Sequence, residues 1–186
     1  MTSWEIQEYK EKIQSKDPLT SNHCTRAAEY AVVLGEQLSL TMEELEALSL
    51  AAVLHDLGKI RIPDEILMKP ASLSEEEFGL VRCHPAWGAD MIEKDAPNDP
   101  KRKFVAEIVR YHHERYDGWG YPEGLRGERI PFLAQIISIA DAFEAMTSDR
   151  PYRKAMTPYQ ALSILNEERG KQFHPELVDR FVQLIA

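Results

Sequence analysis

Apolar positions recur along this chain at the three- and four-residue intervals of helices, and no segment alternates convincingly with the two-residue period of a strand. Residues 3–14 place Trp4, Ile6, Tyr9 and Ile13 on a short helix that either packs as a cap on the domain or mediates a homodimer. Asp17-Pro18 breaks it. From about Thr20 to Leu38, Ala27, Ala28, Ala31, Val32, Leu34 and Leu38 supply the apolar face of a second helix. Thr41 and Glu44 form a capping box for a third, rich in Leu and Ala, which ends at His55-Asp56-Leu57-Gly58-Lys59 with Gly58 as the expected stop. A turn and short helix surround Pro63. Ser74 and Glu77 form a second capping box, opening a helix that reaches His84-Pro85, and residues 86–93 follow as a further helical piece. A loop with two prolines leads to a helix that starts at Pro100 or Lys101 and delivers His112 and His113. Asp117-Gly118 and Gly120-Tyr121-Pro122 are turn chemistry, so that helix should stop near Arg115. Phe132 to Ser148 is strongly apolar, with a locally β-prone run from Ile136 to Ile139. Thr157-Pro158-Tyr159-Gln160 supplies N-cap, N1 proline and N3 partner for a helix ending at Gly170. A last helix covers about Pro175 to Ile185. The expected fold is all-α, a helical bundle without sequence repeats, low-complexity tracts or an internal linker.

Composition narrows the class. A chain of 186 residues can bury a substantial core, and shares of 44% hydrophobic and 28% charged residues are those of a soluble globular protein. No apolar run approaches the ~20 residues of a membrane helix, and no basic start followed by an apolar segment marks a signal peptide. Cys24 and Cys83 each adjoin a histidine but lack the CxxC spacing of thiolate ligands. They read as small core residues in a reducing cytoplasm. The net charge of -9 argues against DNA or RNA polymers as partners, since these need a basic face. A small phosphate ligand stays open, because bound cations reverse the local sign of a site.

The candidate chemistry lies in the histidines and two aspartates. His23, His55, His84, His112 and Asp141 are separated by 32, 29, 28 and 29 residues. A helix of ~15 residues is ~22 Å long, so an out-and-back hairpin returns to one depth after roughly 30 residues. Side chains at this interval converge on one layer of a bundle, as bundle metal sites require. Adjacent His112 and His113 point about 100° apart at a helix end and approach a cluster from different angles. His55-Asp56 offers an imidazole and a carboxylate from another. Five histidines and two aspartates are too many for one ordinary site and suit two divalent ions with room for water. Two ions ~3.5–4 Å apart clamp a phosphoryl group and make hydroxide available near neutral pH. Mixed imidazole and carboxylate ligation favours Fe first and Mn second over closed structural Zn.

The chain resembles the HD-GYP subgroup of the HD-domain metal-dependent phosphohydrolases over about residues 17–186, leaving 1–16 as a leader helix. The resemblance rests on Asp17-Pro18 to Thr20 with His23 and Arg26, on His55 to Ile60, on His84-Pro85 and on His112 to Pro122 continuing through Gly124-Leu125 and Gly127 to Ile130-Pro131. It extends through Ile139-Ala140-Asp141, Ala145-Met146-Thr147, Arg150-Pro151-Tyr152-Arg153, and Gly170 with Phe173. It implies hydrolysis of cyclic di-GMP to linear pGpG, to GMP, or to both. It implies metal ligands at His23, His55, Asp56, His84, His112, His113 and Asp141, with Asp56 bridging and no organic cofactor. Lys59 matches the family's phosphate-contacting lysine. Gly120, Tyr121 and Pro122 match the tripeptide that names the group and shapes the substrate loop. Arg150 and Arg153 match the basic pair that reads the dinucleotide; taken alone they are a solvated helix end. A glutamate that holds a third ion in some members is replaced by Leu19.

The residues fit the implied chemistry. Negative charge grows on a phosphodiester in the transition state, and metals with Lys59 compensate it where it develops. Hydroxide attacks phosphorus in line and the 3′-oxygen leaves. Glu144, one turn after Asp141, either orients Lys59 or a ligand histidine or is solvated. Trp119 and Tyr121 either pack the loop or act on substrate; bulky Trp119 bears on substrate preference. His174 falls outside the 30-residue rhythm and reads as a helix N-cap or surface residue. Two other readings stand beside this one. One is a phosphodiesterase for another cyclic dinucleotide, cyclic GMP-AMP. The other is a non-catalytic module docking on a nucleotide cyclase or an upstream regulatory protein.

Overall fold

The computed structural model describes residues 3–94, 97–149 and 153–185. The first helix, α1 (Ser3–Lys16), buries Tyr9 and Ile13 in the shared core. Asp17 ends it and starts the next. The Asp17 side chain accepts the Leu19 N–H at 3.0 Å and Pro18 takes the first helical position of α2 (Pro18–Gln37). So α2 begins earlier than its apolar periodicity indicates, because a cap and a proline start a helix without an apolar residue.

The Thr41 box opens α3 (Met42–Leu54) as expected. Gly58 does not stop it. The helix ends at Leu54, and Gly58 lies inside a 3-10 turn, Leu57–Arg61, outside the left-handed region. Its lack of a side chain serves a close approach instead. A Cβ there would meet the His84 carbonyl oxygen at 2.0 Å and the Gly88 nitrogen at 2.7 Å. The turn after Asp56 therefore rests directly on the backbone that carries His84.

A single turn, α4 (Asp64–Leu67), follows Pro63, and the Ser74 box opens α5 (Glu75–Val81). α5 stops before His84-Pro85, which instead begin α6 (His84–Lys94). Proline lacks an N–H and is suited to a first helical turn. Asp99 caps α7 (Pro100–Tyr111), which ends before Arg115, with His112 as its C-cap. A 3-10 turn (Gly127–Arg129) precedes α8 (Phe132–Thr147). The Thr157 box opens α9 (Pro158–Glu167), and α10 (Pro175–Ile185) is the last. α9 ends short of Gly170, whose φ of 74° serves the turn beyond it.

α8 holds the middle of the bundle, and its Ile136, Ile137, Ile139, Ala140 and Phe143 are all buried. The β-prone isoleucines are helical because packing on several sides overrides local preference. Ala27, Ala28 and Ala31 keep α2 slim where it packs between α3 and α8. Cys24 is in this core, but Cys83 is not: it is half-buried and donates towards the Gly79 carbonyl at 3.4 Å. Among the described residues there is no strand, only an isolated bridge between Arg169 and Phe173. No described helix is long and apolar enough to cross a membrane.

Candidate metal centre

Three histidines occupy the same kind of position. His55 and His112 cap the C-termini of α3 and α7, and His84 lies just beyond the end of α5. Last-turn carbonyls have no partner inside their own helix. Each Nδ1 lies against the carbonyl three residues back: Ala52 at 2.7 Å, Val81 at 2.7 Å and Val109 at 2.6 Å. A carbonyl only accepts, so Nδ1 carries the proton and donates. Nε2 is then a bare lone pair, and in His55, His84 and His112 it is buried without a hydrogen-bond partner. Leaving such an atom unpaired costs about 1–3 kcal/mol. A ring fixed through Nδ1–H with Nε2 turned into a shared space is what a metal-ligating histidine requires. His55 and His112 stand at the C-terminal, negative ends of α3 and α7, whereas His84 opens α6.

The donor atoms fall into two sets. Those of His84, His112 and His113 lie within 4.8 Å of one another, and so do those of His23, His55 and Asp141. Asp56 stands between, with Oδ1 3.2 Å from His84 Nε2 and Oδ2 3.5 Å from His55 Nε2. All seven side chains expected of the cluster are thus brought together. The donor set and the orphaned Nε2 atoms fit divalent cations. Cys24 Sγ is also within 4.8 Å of ligand atoms of His55 and Asp56, but burial pushes its thiol up, so it remains a protonated neighbour.

Electrostatics divides the histidines. Burial pushes the His55 and His112 imidazoles down and takes His113 to about 3, so all three are neutral. His23 behaves in the opposite way. Burial disfavours its charge, but hydrogen bonds to Asp141 and Glu144 outweigh this and raise it to about 9. Its Nε2 is 2.8 Å from Asp141 Oδ1 and its Nδ1 bonds Glu144. Glu144 is buried, accepts Arg26 Nε at 2.7 Å and is bonded by Ser148. Against burial, the His23, Ser148 and Arg26 contacts draw its carboxyl down to about 2. Of the roles open to Glu144, orienting a ligand histidine is the one its contacts support, and that histidine is His23. Lys59 Nζ is 2.7 Å from Asp56 Oδ2. Burial opposes both charges, yet their mutual attraction holds Asp56 well below the usual carboxylate range and Lys59 above its ordinary value.

The loop after His113 is built around Glu114, to which the sequence reading gave no role. Glu114 is buried, and its carboxylate accepts three backbone N–H groups: Glu123 at 2.7 Å, Gly124 at 3.0 Å and Leu125 at 3.0 Å. An acid ahead of a Gly- and Pro-rich segment was the available signal. Gly120 packs on the same backbone; a Cβ there would meet Arg115 N at 2.3 Å. Tyr121 lies tilted on His113, ring centroids 4.9 Å apart, and its N–H donates to the His113 carbonyl at 3.2 Å. Arg115 binds Asp117 within the loop and Gln172 beyond it, at 2.7 Å and 3.0 Å. Trp119 is 83% exposed. His174 caps α10 as expected, its Nδ1 accepting the Glu176 N–H at 3.2 Å. Arg153 is exposed and bonds the Ala145 carbonyl at the end of α8, while Arg150 lies outside the described residues.

Fold and site together define an all-helical domain whose buried histidines and aspartates are arranged for divalent cations. The HD domain family matches residues 9–177. The chain belongs to that family. The cyclic di-GMP phosphodiesterase response regulator RpfG of Xanthomonas campestris is 41% identical over 174 residues, covering 92% of this chain and 45% of that protein. The 3′3′-cGAMP-specific phosphodiesterase 3 of Vibrio cholerae is 37% identical over 164 residues, covering 88% of this chain and 35% of that protein. The chain thus spans less than half the length of these relatives. Among solved structures, Bd1817, an HDG"Y"P protein from Bdellovibrio bacteriovorus, shares the fold with a TM-score of 0.71 at 23% identity, over 89% of this chain and 52% of that one.

Proposed function

We propose that this chain is a metal-dependent phosphodiesterase that hydrolyses cyclic di-GMP to linear pGpG, to GMP, or to both. The observation that carries the chemistry is the trio of buried, unpartnered Nε2 atoms around Asp56. The similarity to cyclic di-GMP phosphodiesterases, together with the Gly120-Tyr121-Pro122 loop, supports the substrate. In this reading His23, His55 and Asp141 hold one divalent ion, His84, His112 and His113 the other, and Asp56 is shared. Fe is the first choice and Mn the second, without an organic cofactor. Bound there, the ions supply Lewis acidity towards phosphate oxygens and make hydroxide available near neutral pH.

The chain's own residues do the rest. Lys59 places an ammonium beside Asp56, where it compensates charge growing on the phosphate. Neutral His55, His112 and His113 keep lone pairs ready at the working pH. Glu144 sets the ring of His23 through Nδ1. Gly120, Tyr121 and Pro122 wall the substrate side, and Arg150 and Arg153 bind the dinucleotide. Residues 1–16 act as a leader helix to the 17–186 domain, in a cytoplasmic setting that keeps Cys24 and Cys83 as thiols.

Anaerobic purification, metal analysis and product chromatography with cyclic di-GMP test the reading. Asp56→Ala should retain the helical fold and lose metal and turnover together, by more than the roughly 10–100-fold that follows removal of a partner outside the ligand set. Full turnover by a folded, metal-free Asp56→Ala protein would sink the mechanism. The similarity to a cGAMP-specific phosphodiesterase favours one alternative substrate, so cyclic GMP-AMP belongs in the same assay. A higher kcat/KM for it would replace the substrate and keep the chemistry.

A further inference from the structure

Among the described residues, one cation at the rim of the centre has no acidic partner. Arg82, two residues before His84, is exposed, and its guanidinium lies over two rings, 4.9 Å from the Phe78 centroid and 5.3 Å from that of Tyr121. Tyr121 rests on His113, and His113 lies 5.0 Å from His84 by ring centroids. Arg82 is thereby joined through two ring contacts to the donor set His84, His112 and His113.

Other described cations near the donors are engaged. Lys59 is on Asp56, Arg26 on Glu144, Arg115 on Asp117 and Arg153 on a carbonyl. Among the described residues, Arg82 side-chain nitrogens take part in no hydrogen bond or ion pair, so the donor fork is unspent. Stacking on aromatic faces fixes the plane of a guanidinium while leaving its N–H edge open, and a preorganised fork loses less freedom when it binds an anion. In a chain of net charge -9, an open guanidinium at the lip of the centre is where an anionic ligand gains most.

We infer that Arg82 is a phosphate-binding residue of this site, gripping the non-scissile phosphate of a cyclic dinucleotide while the other phosphate lies over the buried donors. The inference rests on the phosphodiesterase reading above. It adds a contact on the α5–α6 corner. Tyr121 then has two tasks, its ring meeting both His113 and Arg82. A Lys at position 82 would keep the charge and lose the planar fork.

The test uses the metal-loaded protein and a hydrolysis-resistant cyclic di-GMP analogue with one sulfur on each phosphate, titrated calorimetrically, with cyclic di-AMP as the second ligand. Wild-type binding of the first ligand is the control for the parent reading; its absence would remove that reading, and this inference with it. Given binding, Arg82→Ala should weaken affinity about tenfold or more for both ligands, the range of a lost charge-assisted contact. Arg82→Lys should recover part of the loss. Metal content and melting temperature should not change, because the side chain is exposed. Equal affinities for wild type and Arg82→Ala would overturn the inference and leave the enzyme reading intact. A loss confined to the guanine dinucleotide would also overturn it, because Arg82 would then be reading a base edge.

Discussion

His23 owes its charge to its neighbours. Two carboxylates flank it, and its folded value of about 9 exceeds the ordinary 6.5. A raised folded value contributes stability that is fully present below about 6.5 and is lost as pH rises through about 9. Glu144 works in the other direction. Its value of about 2 lies below the usual 4.5, so its contribution is present above 4.5 and is lost as pH falls towards 2. Chelator-treated protein should therefore show a lower melting temperature at pH 9.5 than at pH 7, and Glu144→Gln should flatten that fall. A melting curve for the chelated wild type that is unchanged across this interval would show that the proton on His23 does not stabilise the fold. A divalent ion competes for the same nitrogen, so loading the site at neutral pH should release a proton.

At the scale of elements, the site depends on two corners meeting. The turn after Asp56 and the first turn of α6 touch backbone to backbone at Gly58, and no side chain fits there. Gly58→Ala should force these corners apart, at a cost of about 1–3 kcal/mol or more. Because the shift separates Asp56 from His84, metal affinity should fall along with the melting temperature. Thermal unfolding and metal titration of the same variant decide the matter; lost stability with unaltered metal affinity would mean that the corner gives way on the side away from the cluster.

At the scale of the whole molecule, two ions per chain are expected. A third needs another oxygen ligand beside His23, and Leu19, one turn earlier on α2 and 54% exposed, cannot supply it. Leu19→Glu should raise the stoichiometry towards three by metal analysis, whereas three tightly held ions in the unmodified chain would contradict the count. Local signals carried much of the fold. The boxes at Thr41, Ser74 and Thr157 span four residues each and were readable as they stood. The even spacing of His23, His55, His84, His112 and Asp141 was legible, but helix hairpins set only two of its intervals, α2 with α3 between His23 and His55 and α6 with α7 between His84 and His112; short turns and the loop after His113 fill the other two. Gly58 was misread because a close approach and a helix stop ask for the same residue. Glu114 had no legible role because its three donors sit nine to eleven residues further on, along a loop path that periodicity does not encode.

The Glu114 clasp turns residues 114–125 into a closed ring pinned at its base. Such a ring is a module in the engineer's sense. Its tip, with Trp119 standing 83% exposed, can be rewritten while the base keeps its shape and the histidines keep their aim. On the phosphodiesterase reading proposed above, a change at Trp119 alters which dinucleotide is taken and leaves the histidine donors behind the base untouched.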